Sequence, residues 1–314
     1  RTSNRWSPTS SHFSTVTFQR SKEARMSTYK LANKVVAITG STGGLGSALA
    51  EALHARGARL ALFDLEADRL TAQARSFGHP SDVLGWTADV RDFESIEAAM
   101  ANAAYHFGQI DVVIANAGLD TMAPMATIDP PAFDRVIDIN LNGVWRTFRA
   151  GLPFVQQQRG YMLAISSMAA FVHSPLQASY TASKAGVWAM CDSIRLELRH
   201  LGIGVGSAHP TFFPTPLMDD VVADPAGRAL WGGNDRGLWK MIPREQVVRE
   251  IVAGIERRAD MIVVPKINTI VAKAPGFFRR FVERAGFRGE EIERAISLAS
   301  ATGWNDSAGN APAK

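Results

Sequence analysis

The stretch KVVAITGSTGGLGSALAEALHARG, residues 34–57, decides how this chain folds. KVVAITG (34–40) is a short β-branched run that ends in glycine, the pattern of a buried strand. LGSALAEALHARG (45–57) carries apolar residues at helical spacing and a terminal glycine stop. Between them lies TGSTGGLG (39–46). Gly40 permits a tight turn, and Gly44 and Gly46 let the backbone approach an anion at the helix N-terminus. Free N–H groups and the helix dipole favour negative charge there. A glycine cluster alone is a weak signal, but a strand before it and a helix after it make this a pyrophosphate turn.

The same alternation continues outward. RLALFD (59–64) reads as a strand, 65–78 as a helix, 83–90 as a strand, 93–108 as a helix and 111–118 as a strand. A long helical stretch covers about 130–150, followed by a strand at 161–167, a helix at 179–200 and a strand at 203–210. The strands are nearly continuous apolar runs, as expected when helices cover both faces. The expected fold is α/β, a Rossmann-like doubly wound parallel sheet in three layers.

No repeat or low-complexity linker divides residues 30–265, so 30–268 reads as one domain. Past Pro210 the rhythm breaks. Residues 211–243 hold prolines, glycines and large apolar side chains, and a helix (244–258) and the strand MIVVP (261–265) follow. Residues 1–29 are expected to be a disordered extension, and 269–314 a helical extension with a flexible tail.

The second strand ends in Asp64. A carboxylate there can accept hydrogen bonds from a ribose 2′-OH and would repel a 2′-phosphate. No Arg or Lys lies within 40–46 to offset that repulsion. Both facts favour NAD over NADP as the cofactor. The competing role for Asp64 is a cap on the next helix.

Bulk composition excludes several classes. No apolar run approaches the roughly 18 to 20 residues of a membrane span. The formal charge of +4 resides in residues 1–25, five basic residues against one acid, so the other 289 sum to zero. A neutral body gives no reason to expect nucleic acid. Residues 1–25 lack the apolar core of a secretory signal. Their composition resembles a mitochondrial transit peptide without its amphipathic period, and an upstream extension before a start at Met26 is the favoured reading. Cys191 is the single cysteine, which rules out an intramolecular disulfide and suits a reducing, cytoplasmic setting. There is no GxSxG elbow and no His/Cys metal-ligand spacing, so neither a hydrolase nor a metal site is expected.

Further motifs lie in order behind the glycine turn: Asp89-Val90, ANAG at 115–118, Asn140 in INLNG, Ser167 closing LAISS, then SYTASKAG at 179–186 with Tyr180 and Lys184 four apart. PTFFPT follows at 210–215. Over residues 32–265 the chain resembles the short-chain dehydrogenase/reductase family, its single-domain branch, and in particular hydroxysteroid dehydrogenase-type members. Ala115 stands for the first Asn of the family's NNAG turn, and Thr211 for the glycine of its PGxxxT loop. The resemblance implies Asn140, Ser167, Tyr180 and Lys184 as the catalytic set. It implies cofactor contacts from Gly40, Ser41, Thr42, Gly44, Leu45 and Gly46, then Asp64, Leu65, Asp89 and Val90. Further contacts come from Asn116, Ala117, Gly118, Tyr180, Lys184, Pro210, Thr211, Phe213 and Thr215. It implies a homodimer or homotetramer built on the helices near 130–150 and 179–200.

An unperturbed tyrosine, with a pKa near 10, is too weakly ionised for a general base at neutral pH. Residues four apart share a helix face, so Lys184 is expected beside Tyr180, where a cation favours the phenolate. Tyr180 would take the alcohol proton as hydride leaves for NAD, and Ser167 would hold the substrate oxygen. His209 and His173 lack a partner carboxylate and read as loop or packing residues, with substrate contact as the alternative for His173, which lies between Ser167 and Tyr180.

The segment 211–243 occupies the place of the family's substrate lid and carries Phe212, Phe213, Leu217, Met218, Leu230, Trp231, Leu238, Trp239 and Met241. Ala169, Ala170, Phe171, Val172 and Leu176 are expected on the opposite wall. Such a lining suits a lipophilic alcohol or ketone, with a 17-beta-hydroxysteroid as the best single expectation. The alternative role of these side chains is to anchor the lid. In the extension, 274–296 reads as an amphipathic helix with Phe277, Phe278, Phe281, Val282 and Ala285 on one face. It is expected to pack on the body or a partner subunit, with peripheral membrane contact as the lesser alternative. The competing functions are an NAD(P)H-dependent carbonyl or 3-oxoacyl reductase and a catalytically silent NAD-binding regulator.

Overall fold

The computed structural model describes residues 28–302, Arg236 excepted. The expected extension up to residue 27 and the tail from 303 lie outside the described residues. Tyr29, the last residue of the expected extension, is part of the body: it is half-buried, and its amide donates to the Glu256 carbonyl at 2.7 Å.

Seven strands run β1 (Val35–Thr39), β2 (Arg59–Asp64), β3 (Val83–Thr87), β4 (Val112–Ala115), β5 (Tyr161–Ile165), β6 (Gly204–Pro210) and β7 (Met261–Val264). They form one sheet in the order β3-β2-β1-β4-β5-β6-β7, parallel throughout. The helices between them are α1 (Gly44–His54), α2 (Ala67–Ser76), α3 (Phe93–Phe107), α4 (Pro130–Ile137), α5 (Gly143–Gln157) and α6 (Ala178–Leu198). A π-helical turn, Asp138–Asn142, joins α4 to α5. The lid holds α7 (Pro216–Ala223) and α8 (Pro225–Trp231), α9 (Arg244–Ile255) precedes β7, and α10 (Thr269–Lys273), α11 (Pro275–Gly286) and α12 (Gly289–Thr302) close the chain.

The apolar strand runs are explained by the two faces they fill. Val36 and Ile38 of β1 pack with Leu45, Leu49 and Leu53 of α1 and with Val247, Ile251 and Ile255 of α9. Val35 and Ala37, on the opposite face, pack with Ile96 and Met100 of α3, Phe148 of α5, and Val187 and Cys191 of α6. Alternate residues of one strand thus enter two different cores. The strand order reverses between β1 and β4, so a crevice opens at their carboxyl ends, where doubly wound sheets bind ligands.

The lid is anchored as well as apolar. Leu230 and Trp231 of α8 are buried with Met122, Leu176, Val221, and Ala295 and Ala299 of α12. Phe171 stands edge-on to Trp188 at 4.8 Å and against His209 at 4.7 Å. Part of the expected pocket lining is therefore internal packing.

The stretch 274–296 is not one helix. It breaks at Gly286 and Gly289 into α11 and α12, with Phe287 in extended backbone. Gly286 is held there by the lid: a Cβ on it would lie 2.3 Å from the Trp239 ring, whose Nε1 donates to the Gly286 carbonyl at 3.0 Å. α12 packs on the lid, with Ala295 and Ala299 buried against the cluster of Leu230 and Trp231. On α11, Phe277 and Phe281 are 85% and 66% exposed, so the face expected to pack on the body is in large part uncovered. Among the described residues no helix is long and apolar enough to cross a membrane.

Candidate active site

The glycine turn is shaped by close approaches. Gly40 has φ +63°, the left-handed region, and a Cβ there would lie 2.8 Å from Ala117 Cα. A Cβ on Gly46 would lie 2.2 Å from the Gly40 carbonyl oxygen, and one on Gly44 would lie 2.8 Å from Pro216 Cδ at the lid's base. The turn is closed by Asn116, whose Nδ2 donates to the carbonyls of Thr39 at 3.1 Å and Gly40 at 2.9 Å. Asn116 thus shapes the turn from below.

Asp64 does not cap α2. Its Oδ2 accepts from the Thr42 amide at 2.8 Å and the Thr42 hydroxyl at 2.7 Å, and its Oδ1 accepts from the Leu65 amide at 2.8 Å. The carboxylate is fixed at the end of β2, beside half-exposed Leu65. Ser41 corrects the sequence reading. It is fully buried, and its hydroxyl donates to Gln73 Oε1 at 3.0 Å while Gln73 Nε2 donates to its carbonyl. Its side chain braces the turn against α2 and is not presented to a ligand.

One residue escaped the sequence reading. Arg69 Nη2 donates to the Thr42 carbonyl at 3.2 Å, and its Nη1 pairs with Glu66 at 3.0 Å. A cation therefore stands at the same corner as Asp64. It comes from α2 and not from the turn, and only its spacing of five from Asp64 was available as a signal.

Asp89 is gripped by Arg91 through two nitrogens, at 2.6 to 3.0 Å. Partial burial would raise its pKa, but the Arg91 hydrogen bonds and charge hold the carboxyl below its usual range. Val90 is buried, and a Cβ on Gly143 would lie 2.9 Å from it. In the PTFFPT loop, Phe213 is buried in the core, and Thr215 Oγ1 accepts from the Met218 amide at 3.2 Å as the cap of α7. Thr211 stands outside the left-handed region, and its amide donates to Val264 at 2.9 Å, so its backbone does not need the family's glycine.

The four expected catalytic residues converge at the carboxyl ends of β4 and β5. Asn140 is fully buried in the π-helical turn. Its Oδ1 accepts from the Leu119 amide at 2.9 Å, and its Nδ2 donates to the Leu119 carbonyl at 2.8 Å and Ser183 Oγ at 3.2 Å. Lys184 Nζ donates to the Ile165 carbonyl at 3.0 Å and stands 5.5 Å from the Tyr180 ring centroid. A Cβ on Gly118 would lie 3.1 Å from Asn140 Oδ1 and 3.5 Å from Lys184 Nζ, so Gly118 keeps that corner open. Ser167 hydrogen-bonds the Tyr180 phenol and caps the 3-10 turn Met168–Ala170, accepting from Ala169. Gly186 lets α6 sit on Leu141, 3.0 Å from where a Cβ would be.

The electrostatics differ from the simple pairing of Tyr180 with Lys184. Burial, and then the Asp120 carboxylate, push the Tyr180 pKa well above its usual value, and only Ser167 pulls the other way. Burial lowers Lys184 to about 8, against the attraction of Asp120. Asp120, which the sequence reading passed over, is itself raised to about 6, chiefly by burial. His209 is fully buried between Ser207 Oγ at 2.8 Å and the Ser167 carbonyl at 3.2 Å. Burial lowers it to about 4, so it is a neutral strut under Ser167, and His173 is exposed. Among the described residues no group of three or more His, Cys, Asp or Glu is placed to hold a metal.

Residues 34–226 match the family model for short chain dehydrogenase. The chain is 34% identical to a cis-4-hydroxycyclohexanecarboxylate dehydrogenase of Sinomonas cyclohexanicum, over 62% of this chain and 78% of that protein. It is 32% identical to a D-threitol dehydrogenase of Mycolicibacterium smegmatis, over 64% and 78%. Its fold is similar to the crystal structure of a short chain dehydrogenase/reductase from Burkholderia phymatum in complex with NAD. That likeness has a TM-score of 0.70 and 22% identity, covering 80% and 97% of the two chains. The parallel sheet, the glycine turn and the convergence on Tyr180 agree with these matches: the chain belongs to the short chain dehydrogenase family, an oxidoreductase acting on alcohols.

Proposed function

We propose that this protein oxidises a secondary alcohol with a lipophilic body to the ketone, using NAD, with Tyr180 as general base. The carrying observation is the meeting of Asn140, Ser167, Tyr180 and Lys184 around Gly118, at the sheet crevice that the glycine turn also faces. The residues fit a dinucleotide: added Cβ atoms would fill the turn at Gly40, Gly44 and Gly46, and Asp64 is held in place to accept a ribose hydroxyl. When bound, the nicotinamide supplies the hydride acceptor and a positive charge.

The chain's own residues do the rest. Ser167, which meets the Tyr180 phenol in the protein alone, turns its hydroxyl proton to the substrate oxygen and so holds it beside Tyr180. Lys184 is held by Ile165 with its ammonium toward the Tyr180 ring, and Asn140 fixes the loop that carries Gly118. Tyr180 takes the alcohol proton. Burial and Asp120 keep it protonated in the protein alone, so the base is generated only as positive charge gathers in the site. The apolar lid favours a large apolar substrate, with hydroxysteroids the first to test.

The test is NADH formation from a panel of steroids, fatty alcohols, terpene alcohols and polyols. Higher kcat/KM for steroids or fatty alcohols is expected, and a clear preference for small polyols overturns the lipophilic assignment. A reductase using NADPH is the second reading, favoured by Arg69 beside Thr42. Rates with NAD and NADP separate the two.

A further inference from the structure

The segment from Leu119 to Ala123 runs between the catalytic residues and the lid. At one end Leu119 is held by both atoms of the Asn140 amide. At the other, the Ala123 amide donates to the Leu176 carbonyl at 2.9 Å, and Met122 and Leu176 are buried in the apolar cluster beneath the lid. Between these anchors the Asp120 carboxylate accepts from Gln177 Nε2 and from the Thr121 amide, the latter at 2.7 Å. Gln177 is itself buried, three residues before Tyr180 on the chain. Asp120 is near enough to act on the charges of both Tyr180 and Lys184.

The position is costly for the fold. A carboxylate offers about four acceptor positions. Two are filled here, both by neutral donors. The cation acting on it, Lys184, gives an N–H to Ile165. A carboxylate so placed opposes ionisation of the catalytic tyrosine and costs free energy by its own burial. Groups of this kind concentrate at functional sites. Asp120 thus lies on the stretch that leads from Leu119, held by Asn140, to Ala123, held by Leu176, so a substrate that reacts at Tyr180 and runs toward the lid passes it.

We infer that Asp120, oriented by Gln177, is a specificity-determining residue that accepts a hydrogen bond from a second hydroxyl of the substrate, on the lid side of the reacting carbon. The inference rests on the dehydrogenase reading above and narrows its substrate class to diols and hydroxylated ring alcohols. One hydroxyl would lie at Ser167 and Tyr180 and another at Asp120, with the carbon skeleton spanning the two. A site built to hydrogen-bond a hydroxyl rejects the analogue that lacks it, because its buried polar group is left unpaired.

The experiment compares cyclohexanol with the isomeric cyclohexanediols, using the full chain and NAD. At least one diol is expected to exceed cyclohexanol in kcat/KM by about tenfold or more, the scale of one hydrogen bond to a charged group. Asp120→Ala should bring that ratio close to one, and Gln177→Ala should reduce it by less. A ratio near one in the wild type overturns the inference. So does a ratio that survives Asp120→Ala, because an effect of Asp120 on Tyr180 alone changes both substrates equally. Melting temperature with NADH gives a reading independent of turnover. The preferred diol should raise it above the value with cyclohexanol in the wild type and not in Asp120→Ala. If the diol stabilises the NADH complex in this way but no alcohol is oxidised, the dehydrogenase reading fails and the diol site stands. Equal melting temperatures overturn the diol site.

Discussion

Asp64 and Arg69 hold opposite sides of one residue, Thr42: the carboxylate takes its amide and hydroxyl, and the guanidinium donates to its carbonyl. In the proposed NAD site the acid faces the ribose hydroxyls, and the cation is already present for a phosphate. Asp64→Ser is therefore expected to raise the NADP-to-NAD ratio of kcat/KM by about tenfold to a hundredfold, one to two steps of roughly 1.4 kcal/mol. Arg69→Ala in the same background should remove most of that gain. Coenzyme kinetics on the single and double variants check both steps.

Tyr180→Phe keeps the ring and removes the proton acceptor. It should lower kcat/KM for any alcohol by about 10² to 10⁴, the usual range for general acid–base catalysis. NAD affinity, followed by fluorescence titration with NADH, should change little. Intact turnover in this variant would sink the catalytic assignment.

Asp120 raises the proton affinity of Tyr180 in the free protein. Removing its charge with Asp120→Asn should move the acid limb of the kcat/KM profile to lower pH. The sign follows from the charge: a nearby anion disfavours the phenolate, so its loss lets Tyr180 ionise earlier. A limb that stays in place or moves up contradicts this electrostatic coupling.

Gly46→Ala places a methyl 2.2 Å from a backbone carbonyl oxygen that cannot swing aside. Overpacking of this type costs about 1 to 3 kcal/mol. Both the melting temperature and the affinity for NADH should fall, because the strained atom belongs to Gly40 in the turn itself.

His209 is neutral in the fold, with its pKa lowered from 6.5 to about 4 by burial. Below pH 6.5 the unfolded chain binds this proton more readily than the folded one. The stability contributed is full above that pH and is lost as pH falls toward 4, by about 3 kcal/mol in all. His209→Asn should flatten this part of the pH dependence, measured by urea unfolding at several pH values. The same slope in both proteins would show that His209 is not its source.

The sequence determined the sheet and marked the local motifs from which the chemistry is proposed. Uninterrupted apolar strands between amphipathic helices allow only a covered parallel sheet. The glycine turn, Asp64, Ser167, Tyr180 and Lys184 are readable because each sits at a fixed place relative to a strand end or along one helix face. The tertiary structure decided what depends on contacts between distant segments. Ser41 turns inward because Gln73, on the next helix, is there to receive it. The helix expected over 274–296 ends at Gly286, where Trp239 of the lid lies so close that only glycine fits and donates its Nε1–H to the Gly286 carbonyl. Asp120 gains its meaning only when Leu119 is drawn to Asn140 and Gln177 is brought up from the start of α6. Periodicity records which face of an element is buried, and it carries no information on which distant residue a polar group meets.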